Sequence, residues 1–197
     1  PALKSDGTSR HDRPVPGSRA EDPPRRQEGQ VAVKVLVSAA SRHGATVEVA
    51  ANIGAALLAA GNEPFVIVPD EVQRVDGYDA AIIGSGVYVG KWLEPAKDLL
   101  ARHKVALSAM PVWLFSSGPI GDPPKPVEDP VDAAPLVALV GAREHRTFPG
   151  MVDRKRLGFG EKTLLAAVHA PEGDYRPWEE IEAWARSIAA APAADRA

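Results

Sequence analysis

Between residues 38 and 46 the chain reads Ser-Ala-Ala-Ser-Arg-His-Gly-Ala-Thr. Three hydroxyls (Ser38, Ser41, Thr46), one guanidinium (Arg42), one imidazole (His43) and one glycine (Gly44) fall together, with no carboxylate among them. These residue types suit capture of an anion. Hydroxyls and backbone N–H groups donate, the guanidinium adds charge, and glycine lets the backbone come close to a ligand. His43 sits inside the anion loop and pairs with no evident acid, so no catalytic acid–base residue is assigned.

The flanking segments give the loop its place. Residues 31–37 form an apolar run that reads as a buried strand, and residues 47–58 read as a helix. A loop between the first strand and first helix of an open α/β sheet presents the helix N-terminus, with its unbonded amides and partial positive charge. Two phosphate-loop signatures are missing. There is no Gly-Lys-Ser/Thr, and there is no Gly-x-Gly-x-x-Gly. What remains suits a single terminal phosphate.

The segment Ser41-Arg42-His43-Gly44-Ala45-Thr46 resembles the phosphate loop of flavodoxins: a hydroxyl residue, two variable residues, a small residue, one more, then Thr. The resemblance is closer to the flavodoxin-domain branch that includes menaquinone-dependent protoporphyrinogen oxidases, whose loop reads Ser/Thr-Arg-x-Gly-x-Thr. Ala39 departs from the pattern, since many flavodoxins carry an aromatic residue there. The resemblance implies FMN as cofactor, with Ser41, Arg42, His43, Gly44, Ala45 and Thr46 holding its phosphate.

Further along, Gly61-Asn62 is a helix C-cap signal, residues 65–68 read as a second strand and residues 79–85 as a third. Residues 84–91, Gly-Ser-Gly-Val-Tyr-Val-Gly-Lys, read as the loop after it. Amides beside Gly84 and Gly86 suit the polar edge of a flat ring, and Tyr88 suits stacking on its face. The bland alternative packs Tyr88 on Trp92 or Pro95. By resemblance to a Gly-Ser/Ala-x-x-Tyr-x-Gly flavin loop, Gly86, Val87, Tyr88, Val89 and Gly90 form the second ligand segment.

Residues 92–103 read as a helix with Trp92, Leu93, Ala96, Leu99 and Leu100 on one face, a packing signal. Residues 111–115 read as a fourth strand running into Ser116, Ser117 and Gly118. That turn is either a simple strand end or, by resemblance, a third segment set against the flavin ring. Residues 119–135 are proline-rich and read as extended, either a lid or partner surface or, preferably, a tolerated insertion. Residues 143–148 read as an outer strand, and residues 153–169 as a helix weakened by Gly158 and Gly160. Arg143, Arg146, Arg154, Lys155 and Arg156 read as a basic cluster, either solvated or docking an acidic substrate or anionic headgroups. The last helix, from Trp178 to Ile188, carries Trp178, Ile181, Trp184, Ala185 and Ile188 on one face, and Gly173 to Trp178 resembles the family's approach to its final helix.

Strands alternating with helices at this spacing imply right-handed crossovers and a parallel sheet covered on both faces. The expected fold is a flavodoxin-like α/β three-layer sandwich, a five-stranded parallel sheet in the order 2-1-3-4-5. Residues 31–191 form the domain. Residues 1–30, rich in Pro, Gly, Ser, Arg and Asp, and residues 192–197 are expected to be disordered.

Composition narrows the function. The chain has 197 residues, 45% apolar, with net charge −3, which makes no case for nucleic acid. It has no cysteine, so disulfides, thiolate metal sites and thiol redox chemistry are excluded, and electron transfer requires a bound cofactor. No metal site is expected. No apolar run approaches about 18 residues, so no transmembrane segment is expected. The first residues lack a signal-peptide layout, and a cytoplasmic protein is expected. The reading is an FMN-binding oxidoreductase or electron-transfer protein with a redox partner or a small-molecule substrate such as a quinone or porphyrinogen, with at most weak contact to a membrane surface. The competing reading is a flavodoxin-fold module that has lost flavin and works through its tail or residues 119–135.

Overall fold

The computed structural model describes residues 32–118, 128–156, 158, 160 and 172–191. The expectations for both termini, for residues 119–127 and for most of the helix at 153–169 lie outside these residues.

The first strand, β1 (Lys34–Ala40), is buried from Val35 onward. Val35, Val37 and Ala39 face one helical layer, while Leu36 and Ala40 face the other. A strand covered on both sides needs an unbroken apolar run rather than alternation, which is what residues 31–37 supply. It leads into α1 (Ala45–Ala59). Then come β2 (Glu63–Val66), a 3-10 turn (Pro69–Glu71), β3 (Ala80–Tyr88) and the short β4 (Lys91–Trp92). Next are α2 (Glu94–Arg102), α3 (Lys104–Ser108), β5 (Val112–Ser117), α4 (Ala133–Val140) and β6 (Glu144–Phe148). A small antiparallel ribbon, β7 (Met151–Val152) with β8 (Gly173–Asp174), precedes α5 (Trp178–Ala190).

The sheet order is β2-β1-β3-β5-β6, every neighbouring pair parallel, with β4 antiparallel on the end of β3. This is the expected 2-1-3-4-5 order with one extra hairpin strand. α1 and α5 cover one face, where Phe115, Phe148 and Trp184 interlock with ring centroids 5.5–6.4 Å apart. α2, α3 and α4 cover the other with Leu99, Leu100, Leu107, Leu136 and Val140. Each such fully buried aliphatic side chain contributes roughly 1.5–3 kcal/mol relative to exposure.

Several boundaries differ from expectation. β2 is Glu63–Val66 rather than residues 65–68. β1 extends to Ala40, so Ser38 and Ala39 are strand residues, not loop residues. β3 extends to Tyr88, so the expected loop at 84–88 is strand, and only Val89 and Gly90 turn the hairpin. Gly84 is an interior position: a Cβ there would lie 2.2 Å from the Phe115 ring. Trp92 belongs to β4, because Pro95 sets the first turn of α2 and Glu94 begins it. The proline-rich stretch ends in α4, the crossover helix joining β5 to β6. Pro135 falls in its first turns, where a missing N–H costs little. Residues 153–156 form a turn closed by Arg156 N–H on Asp153 O (3.0 Å) instead of opening a helix. No helix among the described residues is long and apolar enough to cross a membrane.

Candidate functional site

The C-terminal ends of β1, β3 and β5 lie side by side, and strand order reverses between β1 and β3. That is the crevice where open α/β sheets receive ligands. Gly44 is the N-cap of α1 with φ of 87°, in the left-handed region that favours glycine. Having no side chain, it leaves the helix start without a side-chain cap. Thr46 N–H donates to Ser41 Oγ at 3.3 Å, which folds the loop over the first turn. Ser38 contributes nothing to this loop: it is fully buried in β1, and its hydroxyl has no hydrogen-bond partner among the described residues.

The second segment meets the first. A Cβ built on Gly86 would lie 3.1 Å from Thr46 Oγ1 and 3.3 Å from the Tyr88 ring. The bare, buried backbone of Gly86 therefore packs between a buried threonine hydroxyl and an aromatic ring with no room for a side chain. Tyr88 is half-buried, with the Arg42 guanidinium 4.6 Å from its ring centroid and the His43 ring at 6.3 Å. Arg42 lies within cation–π range. Residues 41–46 and the hairpin carrying Val87, Tyr88, Val89 and Gly90 thus form one rim.

The third segment stands behind that rim. Ser116 is fully buried, and its hydroxyl accepts a bond from Trp92 Nε1 (2.7 Å) and pairs with His145 Nε2 (2.8 Å). Ser117 is buried. Gly118 N–H donates to Phe148 O (3.2 Å), and a Cβ at Gly118 would fall 2.6 Å from Val87 Cβ. The turn supports the hairpin from below.

Residues not singled out as site residues complete the loop's surroundings. Arg176, its side chain 4% exposed, pairs with Glu48 (2.7 Å) and Asp174 (2.7 Å) and donates to Ala45 O (3.0 Å). Its guanidinium also lies 4.4 Å from the Trp178 ring centroid. Arg156 donates to the second oxygen of Glu48 (3.1 Å) and to His43 O (3.2 Å). Glu48 lies in the first turn of α1, where the helix dipole favours a carboxylate but an incoming anion meets its charge. Guanidinium groups on both of its oxygens offset that charge. The hydrogen bonds from Arg176, followed by those from Arg156, hold the Glu48 carboxyl below its ordinary range. Arg176 does the same for Asp174. Glu48 lies more than a hundred residues from both of its arginines in sequence, so local pattern carries no sign of those pairs.

The expected basic cluster does not form as one patch. Arg143 stacks over Trp113 at 5.3 Å, near the N-terminal edge of the sheet, Arg146 pairs with Glu144 (3.2 Å), and Arg156 lies at the opposite edge. A parallel sheet separates residues at the two ends of its strands, whatever their spacing in sequence. No cluster of side chains suited to a metal ion occurs among the described residues.

A bare glycine backbone at Gly86, a helix start to which Gly44 lends no side-chain cap, two hydroxyls and an aromatic ring on one edge fit a phosphate joined to a flat heterocycle. The family described as "Flavodoxin domain" matches residues 36–177. No curated protein matches the chain. A flavodoxin from the domain Archaea superposes with a TM-score of 0.56 at 18% identity, over 80% of this chain and 96% of that one. A variant of the Pseudomonas aeruginosa flavodoxin gives 0.53 at 18% identity, over 80% and 97%. The rubredoxin oxygen:oxidoreductase of Desulfovibrio gigas gives 0.54 at 14% identity, over 80% of this chain and 35% of that one.

Proposed function

The chain belongs to the flavodoxin-domain family of FMN-binding electron-transfer proteins, and from that premise we propose how it grips its cofactor and what it serves. FMN, when bound, supplies the electron-transfer chemistry, and the protein supplies binding and orientation. In this reading Ser41, Arg42, His43, Gly44, Ala45 and Thr46 receive the phosphate through hydroxyls, first-turn amides and the Arg42 charge. The Tyr88 hairpin flanks the ring, and Ser116, Ser117 and Gly118 hold that hairpin at its height. The observation that carries the reading is the close approach of the two segments at Gly86, where Thr46 Oγ1 and the Tyr88 ring both border the position a side chain would take.

The partner is the finer part of the proposal. From the resemblance of the Ser-Arg-x-Gly-x-Thr loop to the menaquinone-dependent protoporphyrinogen oxidase branch, we propose a quinone or porphyrinogen as the molecule that exchanges electrons with the flavin, and a cytoplasmic setting. The domain is taken to span residues 31–191. No specific observation favours the flavin-free module.

Calorimetric titration with FMN and with riboflavin tests the grip. Arg42→Ala combined with Thr46→Ala should weaken FMN at least tenfold and leave riboflavin nearly unchanged, because only FMN carries the phosphate. Equal losses for both ligands would place the phosphate elsewhere. Oxidation of the reduced protein by quinones, compared with its reduction by porphyrinogens and pyridine nucleotides, tests the partner.

A further inference from the structure

Behind the rim runs a chain of hydrogen bonds, buried at its Trp92 end and open to solvent at Asp129, that the phosphate loop does not use. It starts at the Trp92 indole, 3% exposed, two residues beyond the tip of the hairpin. Trp92 Nε1 donates to Ser116 Oγ at 2.7 Å, and Ser116 Oγ lies 2.8 Å from His145 Nε2. The other ring nitrogen, Nδ1, lies 3.7 Å from Asp129 Oδ2, and Asp129 also accepts from Thr147 Oγ1 at 2.5 Å. An indole N–H can only donate. Every donor finds an acceptor when Ser116 accepts from Trp92 and donates to His145 Nε2, which requires a neutral imidazole with its proton on Nδ1, toward Asp129.

The same hairpin is tied at further points. Trp92 N–H donates to the Asp132 carboxylate (3.1 and 3.2 Å), Val131 N–H to Gly90 O (3.0 Å), and Leu93 N–H to Ser85 Oγ (2.9 Å). These ties hold backbone. Among these side-chain ties of the described residues, the indole relay is the one that reaches across to β5 and β6 and ends on an imidazole.

We propose that His145 is a positioning residue for FMN: as the terminal acceptor of the Trp92–Ser116–His145 relay, it fixes the hairpin that sets Tyr88 against the first loop. The proposal rests on the FMN reading of the rim. Protonation of His145 turns Nε2 into a donor. Ser116 Oγ can accept from both N–H groups with its two lone pairs, but its own proton then loses its acceptor, which leaves a buried donor unpaired in the support beneath the hairpin. Burial disfavours that charged form and Asp129 favours it, with burial the stronger influence. The charged group set against the ring is Asp129. Ser116 from β5, Trp92 from β4 and Thr147 from β6 face it as neutral groups. Asp132, Lys97 and Glu94 form a separate ion group on the backbone side of Trp92.

Two variants of the full chain test this. His145→Gln keeps an acceptor that does not titrate, and His145→Leu removes the acceptor. Riboflavin binding at about pH 7.5 should weaken roughly tenfold in H145L and stay within about threefold of wild type in H145Q, since only the former strands the buried Ser116 proton. Between about pH 7.5 and about pH 5.5, FMN binding should weaken more in wild type than in H145Q, by less than about tenfold because burial lowers the imidazole's value below its ordinary one. The FMN phosphate titrates in both proteins and cancels in that comparison. In the flavin-free protein, tryptophan emission should titrate with a midpoint below about 6.5, because the imidazole ring lies beside Trp92 and its ordinary value is lowered. That transition should vanish in H145Q and in Trp92→Phe. Wild-type protein that binds no FMN at any pH overturns the FMN reading and this proposal with it. FMN binding whose pH profile in H145Q superimposes on wild type overturns the proposal alone, even if H145L fails to fold.

Discussion

Gly86 faces Thr46 so closely that a single added carbon on the glycine would come within 3.1 Å of the threonine hydroxyl. Strand and loop come this close because residue 86 has no side chain.

Gly86→Ala should lower FMN affinity about five- to tenfold, while costing at most about 1 kcal/mol of stability, since the obstructed groups can yield by a few tenths of an ångström. Gly84→Ala, two residues earlier, should do the reverse. Its Cβ would stand 2.2 Å from the Phe115 ring, deep between β3 and β5, and a loss of about 3 kcal/mol is expected. Calorimetry and thermal melts on the two variants separate the roles. If both lose affinity and stability in parallel, the distinction between site glycine and packing glycine is wrong.

The contrast between these glycines also shows what was legible in the sequence. Both appear in one Gly-Ser-Gly run that looks like a loop, because glycine carries no hydrophobic signal and three glycines within seven residues read as a break. The strand continues through them because the backbone of Gly84 pairs between Ala39 and Phe115, a contact set by tertiary packing. The strand order, the two helical layers and the first loop were readable, since each rests on local periodicity or on a compact motif. α4 was hidden by prolines that occupy its approach and first turns. The pairing of Arg176 and Arg156 with Glu48 was hidden by sequence distance. Ser116 looked like a ligand hydroxyl, and only the positions of Trp92 and His145 reveal that it is engaged within the fold.

At the hairpin tip, Val89 has φ of 51° and is 87% exposed. A β-branched residue in the left-handed region is strained by roughly 1–2 kcal/mol, and two-residue turns of this kind favour Asn-Gly. Because so little of the side chain is buried, nothing offsets the strain. Val89→Asn should raise stability by about 1 kcal/mol, read as an increase in melting temperature of a few degrees. A fall in stability would mean that the valine makes a contact worth more than the strain.

Two arginines flank one carboxylate, but they differ in burial. Arg176 is nearly enclosed, whereas Arg156 is 43% exposed on the side chain. Arg176→Met leaves Glu48 and Asp174 without their nearest cation and removes the bond to Ala45 O. About 2 kcal/mol should be lost, less than for a fully buried pair because both carboxylates are partly exposed to water. Arg156→Ala should cost under about 1 kcal/mol, as exposed pairs do. Urea unfolding of the two variants checks the ratio, and equal midpoints would refute the assignment of Arg176 as the buttress of α1.

Acid should weaken the fold in two separate stages. His145 has its folded value lowered, chiefly by burial. As pH falls through about 6.5 the unfolded chain takes up this proton first, so stability drops from there down to the folded value and then levels. Glu48 and Asp174 are also lowered, chiefly by hydrogen bonds from Arg176. Their contribution is complete above the ordinary carboxylate value of about 4 and is lost as pH falls below it toward their folded values. Stability measured by urea unfolding should therefore show a first decline that H145Q abolishes and a second that it leaves intact. Arg176→Met should reduce the second and spare the first. A single acid transition, unchanged in H145Q, would mean that the buried imidazole is not neutral in the folded protein, and with it would go the proton arrangement that links Ser116 to Trp92.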